Sequence, residues 1–458
     1  MRQKTTEHYS PRATLAALGT QLQHLKLFAP IEQNVQIKQK TVKHAPAEKL
    51  KDAFIAILAG AHGLAEINTR VRSDEALQRA FGRTGCAEQS VVQRTLDACT
   101  QENVRQMQHA IDTIFRTHSS AFRHDYRVNF LLLDIDMTGR PCGPKAALSK
   151  KGYFSKDGIR YGRQVGRVAA TDYGEVVVDR LFAGNVQLTT ALRPLVEALE
   201  QTLELNNERR SRTILRVDAG GGSLGDVNWC LERGYQLHGK DISGSRAKAW
   251  SSTVHEWHTD PQHPDRQMGW VVPLDTPDYV RPVRRLAIRW RKRNGHFKHA
   301  MLVSTLTPRD VLQLLNQPAE NINQPASVAL AYAQFYDQRG GAVEIEIKES
   351  KQGIGLTKRR KKQGDAQQMV VLLSSLAHNV LVWAKRRLSA KAPQLARLGL
   401  LQLVRDLLHI SGQVELDQRS KMVVRIALNR AAPLAGVFVN AWRDTLLGKH
   451  VAISLRES

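Results

Sequence analysis

Asn129-Phe-Leu-Leu-Leu-Asp-Ile-Asp136 is a short apolar run that ends in carboxylates, and its reading decides the fold class. A run of this length closed by acids reads as a buried β-strand with its polar end at the C-terminus. Asp134 and Asp136 lie two apart, so on a strand they point to one face. Downstream, two further strands are expected around Gln164–Thr171 and Glu175–Phe182, separated by the turn Asp172-Tyr-Gly174. Leu188, Leu192, Leu195, Leu199 and Leu203 then mark one face of a helix. Arg212–Asp218 (RTILRVD) is the next strand and again ends in an aspartate. The glycine-rich turn AGGGSLG, a helix with Trp229 and Leu231, and a strand near Tyr235–His238 complete the stretch. Strands alternating with helices in this way describe an α/β fold, a mixed sheet with helices packed on it. Acids at the C-terminal ends of strands are where an open α/β sheet places its chemistry.

Upstream, residues 1–125 read as mostly helical. Leu15, Leu18, Leu22 and Leu25, and then Leu50, Phe54, Ile57 and Leu58, recur at helical spacing. Ser73 is the expected N-cap of a helix through Ala76, Leu77 and Ala80. After the turn Gly82-Arg-Thr-Gly85, one longer helix is expected from Val92 through Ile114. Two helices around a short glycine turn fit either a helix-turn-helix, with Gln89, Gln93 and Arg94 facing DNA, or an ordinary helical hairpin in a bundle.

Between about Ser243 and Gln324 the α/β rhythm breaks. VVPLD, RRLAIRWRKR, Asn294-Gly295 and FKHAMLVSTL read as a β-rich insertion, with a hairpin turned at Asn-Gly in type I′ geometry. Trp290 with Arg291 and Arg293 gives one strand a basic, aromatic composition suited to nucleic acid. His255-Glu-Trp-His258 and His263 lack metal-ligand spacing, and their Pro- and Asp-rich surroundings read as a solvated loop.

The second decisive stretch is Tyr336-Asp-Gln-Arg-Gly-Gly-Ala-Val-Glu-Ile-Glu-Ile-Lys-Glu-Ser-Lys351. If it is helical from Val343 onward, Glu344, Lys348 and Lys351 form one stripe, a carboxylate followed by two cations. Such a stripe suits a divalent metal flanked by phosphates, or equally an exposed helix with ordinary ion pairs. A basic run, Lys358, Arg359, Arg360, Lys361 and Lys362, follows and suits phosphate contact. The apolar stretch Met369–Trp383, interrupted by Ser374, Ser375, His378 and Asn379, reads as a buried core helix. Residues 390–458 read as helical and leucine-rich.

The totals agree with a polyanionic partner. The 458 residues carry 67 Lys+Arg against 43 Asp+Glu, a formal charge of +24. No stretch approaches the ~18 apolar residues of a membrane span, and the N-terminus lacks a signal-peptide apolar region. Cys86, Cys99, Cys142 and Cys230 show no paired spacing, which points to a reducing compartment and away from zinc or disulfides.

Asp136, Asp218 and Glu344 stand far apart in the chain, so a site built from them is assembled by the fold. Three carboxylates without Cys or His suit Mg²⁺ or Mn²⁺, and two such ions serve in-line phosphoryl transfer. Here a family resemblance enters. Asp136-Met-Thr138 after an apolar strand, and Val217-Asp-Ala-Gly-Gly-Gly222, resemble the first and second aspartate segments of DDE insertion-sequence transposases with an RNase H-like fold. Tyr336, Arg339, Glu344 and Lys351 resemble the Tyr-Arg-Glu-Lys signature of the cut-and-paste group named insertion sequence four and its relatives. The family usually places three residues between Arg and Glu, and this chain has four, Gly340 to Val343; the six-residue gap from Glu344 to Lys351 is conventional. Asp134 and Glu346 stay as alternatives to Asp136 and Glu344.

The resemblance implies an RNase H-like mixed sheet flanked by helices. Its expected divisions are a helical N-terminal region for DNA binding or dimerisation (1–125), the first part of the catalytic core (126–242), the β-rich insertion (243–325), the second part of the core with the Glu-bearing helix (326–390), and a helical C-terminal region (391–458). It implies two metal ions on Asp136, Asp218 and Glu344, phosphates held by Arg339 and Lys351, and a backbone contact from Tyr336. A tryptophan of the insertion would stack on a flipped base, Trp290 first and Trp250 or Trp270 after it. The implied partners are transposon terminal repeats, target DNA and a second copy of the chain, in a cytoplasmic, nucleoid-associated setting. A nuclease without strand transfer and an inactive DNA-binding descendant are the alternatives.

Overall fold

The structure is a computed structural model describing residues 4–40, 43–154, 158–272, 278–356, 360–443 and 451–457, without the side chains of 341–343, 346 and 443. Its strands are β1 (Thr5–Ser10), β2 (Leu131–Pro141), β3 (Lys150–Phe154), β4 (Gly158–Ala170), β5 (Glu175–Ala183), β6 (Thr213–Val217), β7 (Gln236–Lys240), β8 (His258–Asp260), β9 (His263–Trp270), β10 (Arg284–Arg291), β11 (Phe297–Ser304), β12 (Gly412–Asp417), β13 (Val423–Asn429) and β14 (Ala452–Arg456). Contacts divide the chain into two units. One comprises Met1–Ser119, Cys142–Ser149 and Ile347–Ser458; the other comprises Ser120–Pro141 and Lys150–Glu346.

The second unit is built on one mixed sheet, in the order β4-β2-β6-β7-β11-β10-β9-β8, with β3 and β5 also paired to β4. β2, β6 and β7 run parallel, while β2–β4 and β4–β5 are antiparallel. Helices cover both faces. Leu188–Leu203 lies against β4 and β5, and the N-terminal half of Pro325–Gly353 buries Val328, Ala329, Tyr332 and Phe335 against Leu132, Ile214, Leu302 and Ile288. The α/β architecture expected from the strand pattern, a mixed sheet flanked by helices, is therefore observed. The insertion does not stand apart from it. β11 pairs antiparallel with β7 through Leu302↔Lys240, so the inserted hairpins extend the mixed sheet and cover what would be an open edge.

Several expectations need correction. The β10–β11 loop is not a type I′ turn: Lys292 N–H donates to the His296 carbonyl at 2.8 Å, and only Gly295 has positive φ (+80°). That is a three-residue loop ending in a left-handed glycine, and Asn294 stays at negative φ. The histidine-rich stretch is not a loop but the hairpin β8–β9, closed by Asp260↔His263. Of VVPLD, the Pro273–Asp275 portion lies outside the described residues.

The first unit holds a four-stranded sheet, β1-β12-β13-β14, and a helical core. The C-terminal residues read as wholly helical thus contribute β12, β13 and β14, and the N-terminal region contributes β1. Gly364–Ser389 is buried nearly all round, as its pattern indicates, and Ser374 and Ser375 donate to the Val370 and Val371 carbonyls. The expected single helix from Val92 to Ile114 is two, Gln89–Asp97 and Gln101–His118, because Thr100 caps the second. Asp74, one residue after Ser73, caps Glu75–Ala80. In the turn Gly82–Gly85, Arg83 is buried and bonds Asp52 at 2.8 Å, which anchors the turn inside the unit. Gln93 bonds Asp97 and receives Lys361, so it is engaged within the unit. No helix among the described residues is long and apolar enough to cross a membrane.

Candidate active site

Three parallel strands, β2, β6 and β7, set their side chains in rows on the face covered by the helix Pro325–Gly353. Leu132 and Ile214 form an apolar row. The next row is Asp134, Arg216 and His238, in register through Asp134↔Arg216 and Arg216↔His238, and all three are fully buried. Two residues on, past the last paired positions Ile135↔Val217↔Gly239, the strands end in Asp136, Asp218 and Lys240. The period of two along a strand puts that outer row on the same face, at the rim of the sheet.

The two rows separate the rival aspartates. Asp134 takes a bidentate ion pair from Arg216 at 2.6 and 2.8 Å and a hydrogen bond from Thr171 at 2.7 Å. Arg216 also donates to the Phe335 carbonyl at 2.6 Å. His238 contacts Ser304 and the Tyr332 carbonyl, and burial, with Arg216 adding to it, pulls its pKa down to about 3. This layer is saturated and clamps the helix to the sheet. Asp136 instead reaches the rim, with 18% of its side chain exposed and Met137 N–H on one oxygen at 2.9 Å. Burial holds its carboxyl above the usual range; Arg339 opposes the shift, and the neighbouring charges of Asp218 and Glu344 add to it.

Asp218 caps the short turn Ala219–Gly221 by accepting from Gly220 N–H at 2.9 Å. The glycines let that turn lie flat on the strand ends. A Cβ on Gly222 would meet the Lys240 carbonyl oxygen at 1.9 Å, and one on Gly220 would meet Asp218 Oδ1 at 3.0 Å.

Tyr336, Arg339 and Glu344 all lie on Pro325–Gly353, which is one helix rather than one beginning at the glutamate. Val343–Ile347, which alternates like a strand, is helical as well. Arg339 is 5% exposed; it donates to the Ile135 carbonyl at 2.9 Å and lies 3.2 Å from Asp136 and 4.0 Å from Glu344. Its guanidinium therefore faces the carboxylates, not an open surface. Glu344 is 61% exposed, with Arg339 between it and Asp136. Among the described residues no three Asp, Glu, His or Cys side chains are gathered tightly enough to hold a metal. The expected convergence of three acids is thus a pair on adjacent strands and a third acid approaching across an arginine. The donor set still suits a hard divalent cation: the acids are oxygen-only and like-charged, and burial with the neighbouring charges of Asp218 and Glu344 raises the Asp136 pKa against the opposing pull of Arg339.

The remaining residues sort by position. Trp290 flanks the site, lying with Tyr336 against the cluster under the helix. Trp270 stacks edge-on against Tyr332 at 5.0 Å, and Trp250 lies on the opposite face of the sheet beneath Arg285. Arg291 and Arg293 are exposed at the hairpin end. Lys348 and Lys351 belong to the other unit, Lys348 exposed. Lys358 and Arg359 lie outside the described residues, and Arg360 is exposed. Lys361, from the same run, is buried and donates to Gln93, so the run is not uniformly free for phosphate.

Lys240 was not singled out in the sequence, because a lysine ending a short strand has no motif. Its signal lay in alignment: it follows the Tyr235–His238 run as Asp218 follows RTILRV. Its ammonium lies 4.9 Å from the Tyr336 ring centroid and 5.4 Å from that of Trp290. Burial pulls its pKa below the usual lysine range.

No protein-family model matches the chain, and no curated protein matches it. Among solved structures it is similar to a piggyBac transposase synaptic complex with hairpin DNA, at 12% identity and TM-score 0.46, over 89% of this chain and 84% of that one.

Proposed function

We propose that this chain is a DNA transposase of the insertion-sequence type, cutting DNA at the ends of a mobile element and joining them to target DNA. The observation that carries the reading is the outer row, Asp136 beside Asp218 at the ends of adjacent parallel strands, with Glu344 coupled to Asp136 across Arg339. Asp136, Asp218 and Glu344 would hold Mg²⁺ or Mn²⁺, two ions in the fully loaded site. Bound there, such ions supply an activated oxygen nucleophile and neutralise charge on the leaving 3′-oxygen.

The chain's own residues do the rest. Arg339 is tied to the Ile135 carbonyl, so it holds Asp136 in place and balances its charge. The saturated layer beneath, Asp134 with Arg216, keeps the strand ends and the helix in one frame. Trp290 offers a ring at the rim for an unstacked base. Tyr336 borders the same space, while Lys348, Lys351, Lys358, Arg359, Arg360, Arg291 and Arg293 provide positive charge for the DNA backbone. A pair of chains would hold two DNA ends together.

Product analysis tests this reading against hydrolysis alone. Wild-type protein is incubated in Mg²⁺ with labelled DNA containing both flanks of its own coding sequence, plus a supercoiled target. The expected products are free 3′-hydroxyl ends at defined positions and covalent joints to the target. Cleavage without joints would make it a nuclease, and neither product would overturn the proposal.

A further inference from the structure

Lys240 is placed as a ligand-binding residue is placed, yet its ammonium has no hydrogen-bond or ion-pair partner among the described residues. It ends β7 one position past Gly239, which pairs with Val217, so it stands level with Asp218 on the neighbouring strand. On its other side it pairs with Leu302 of the insertion, which fixes its backbone between two strands. Its side chain is half-buried. The ammonium faces the rings of Tyr336 at 4.9 Å and Trp290 at 5.4 Å, and makes no hydrogen bond or ion pair with any described residue. Arg266, beside Trp290 in the sheet register, pairs with Asp337 and Asp260, and the charges of Asp337 and Asp218 act on the Lys240 ammonium without forming an ion pair with it.

A half-buried cation with no ion-pair partner among the described residues forgoes hydration that two ring faces restore only in part. The arrangement holds the ammonium in one place and leaves its hydrogen-bonding capacity unused. An anion arriving beside Asp218 would find three N–H donors already positioned, with no reordering of a flexible side chain.

We infer that Lys240 is a phosphate-binding residue, its ammonium gripping a non-bridging oxygen of the phosphodiester that lies next to Asp218 in the DNA strand entering the site. Tyr336 and Trp290 act as positioning residues for that ammonium. The inference rests on the proposed function for the identity of the anion as DNA phosphate, and it adds a cation, from the strand row itself, to those carried by the helix and the basic run. A lysine serving only to cover apolar surface with its stem would have the same burial but no effect on the ionic component of DNA binding.

The experiment measures affinity for labelled element-end DNA across 50–200 mM salt, in Ca²⁺ so that no strand is cut, for wild type, Lys240→Gln and Lys240→Arg. One lost phosphate contact lowers the slope of log affinity against log salt by about 0.7–0.9, or roughly threefold in the affinity lost over that range. Lys240→Gln is expected to show that lower slope with an unchanged melting temperature, and Lys240→Arg to restore the wild-type slope. The same proteins are then assayed for cutting in Mg²⁺. Unchanged slope in Lys240→Gln while wild type cuts overturns the inference and leaves the proposed function standing. A wild type that binds with the expected slope difference but never cuts has the opposite meaning: the phosphate contact stands and the transposase reading falls. If Lys240→Gln melts lower, Lys240→Met serves as the folded control, and a wild-type slope in that variant overturns the inference.

Discussion

At the scale of single residues, Asp134 and Asp136 show what a strand pattern contains and what it omits. Both point to one face, so strand geometry alone does not rank them, and only the family resemblance put Asp136 first. What ranks them is Arg216, which follows RTIL on another strand and is committed to Asp134 in full. Its pairing partner became visible only once β2 and β6 were in register. His238 shares that buried layer and yields a prediction about acid. Its pKa is lowered from 6.5 to about 3 in the folded chain, first by burial and then by Arg216. Below pH 6.5 the unfolded chain binds a proton that the folded chain refuses, so stability is full above that pH and falls as the pH drops towards 3. The loss amounts to a few kcal/mol, of the order of 1.4 kcal/mol per pH unit across the window. His238→Gln, which keeps a donor for the Tyr332 carbonyl, is expected to flatten the acid limb of melting temperature against pH. An acid limb as steep as wild type would show that His238 does not set it.

At the scale of elements, the legible parts were those whose periodicity alone decides them. β2, β4, β5, β6 and β7 and the helices Leu188–Leu203 and Gly364–Ser389 all follow from short apolar runs or from periodic apolar spacing. β12 alternates in GQVELD and β13 is a short apolar run, VVRIALN, but they sit in a leucine-rich surround whose overall composition favours helix. β12 pairs with β1, some four hundred residues away in the chain, and β13 lies between β12 and β14, pairings that no local window reports. The hairpin β8–β9 was hidden by prolines that fall at its turn and strand start, where a missing N–H is tolerated. The glycines of the turn after Asp218 permit close approach to the strand ends. Gly222→Ala forces a Cβ to within 1.9 Å of the Lys240 carbonyl unless the backbone shifts. The substitution is expected to cost about 1–3 kcal/mol in chemical denaturation and to depress DNA cutting, since Asp218 and Lys240 move together. Unchanged stability would mean that the turn has slack the close contact does not suggest.

At the scale of the whole molecule, the sequence predicted five consecutive segments, and the chain instead folds as two units that each draw on distant stretches. The N-terminal helices share a unit with the C-terminal region, and the insertion shares a sheet with β2, β6 and β7. Such groupings depend on long-range pairing, which leaves little trace in composition. The charge of +24 was legible and remains the broadest indication of a polyanionic partner. The central claim is narrower: Asp136, Asp218 and Glu344 together perform phosphoryl transfer on DNA. It is tested most directly by single-turnover cleavage of labelled element-end DNA in Mg²⁺, comparing wild type with Asp136→Asn, Asp218→Asn, Glu344→Gln and Glu346→Gln. The account predicts that each of the first three loses about 10²-fold or more in rate while still binding the DNA, and that Glu346→Gln cuts at the wild-type rate. Cleavage at the wild-type rate by Asp136→Asn, Asp218→Asn and Glu344→Gln would contradict it.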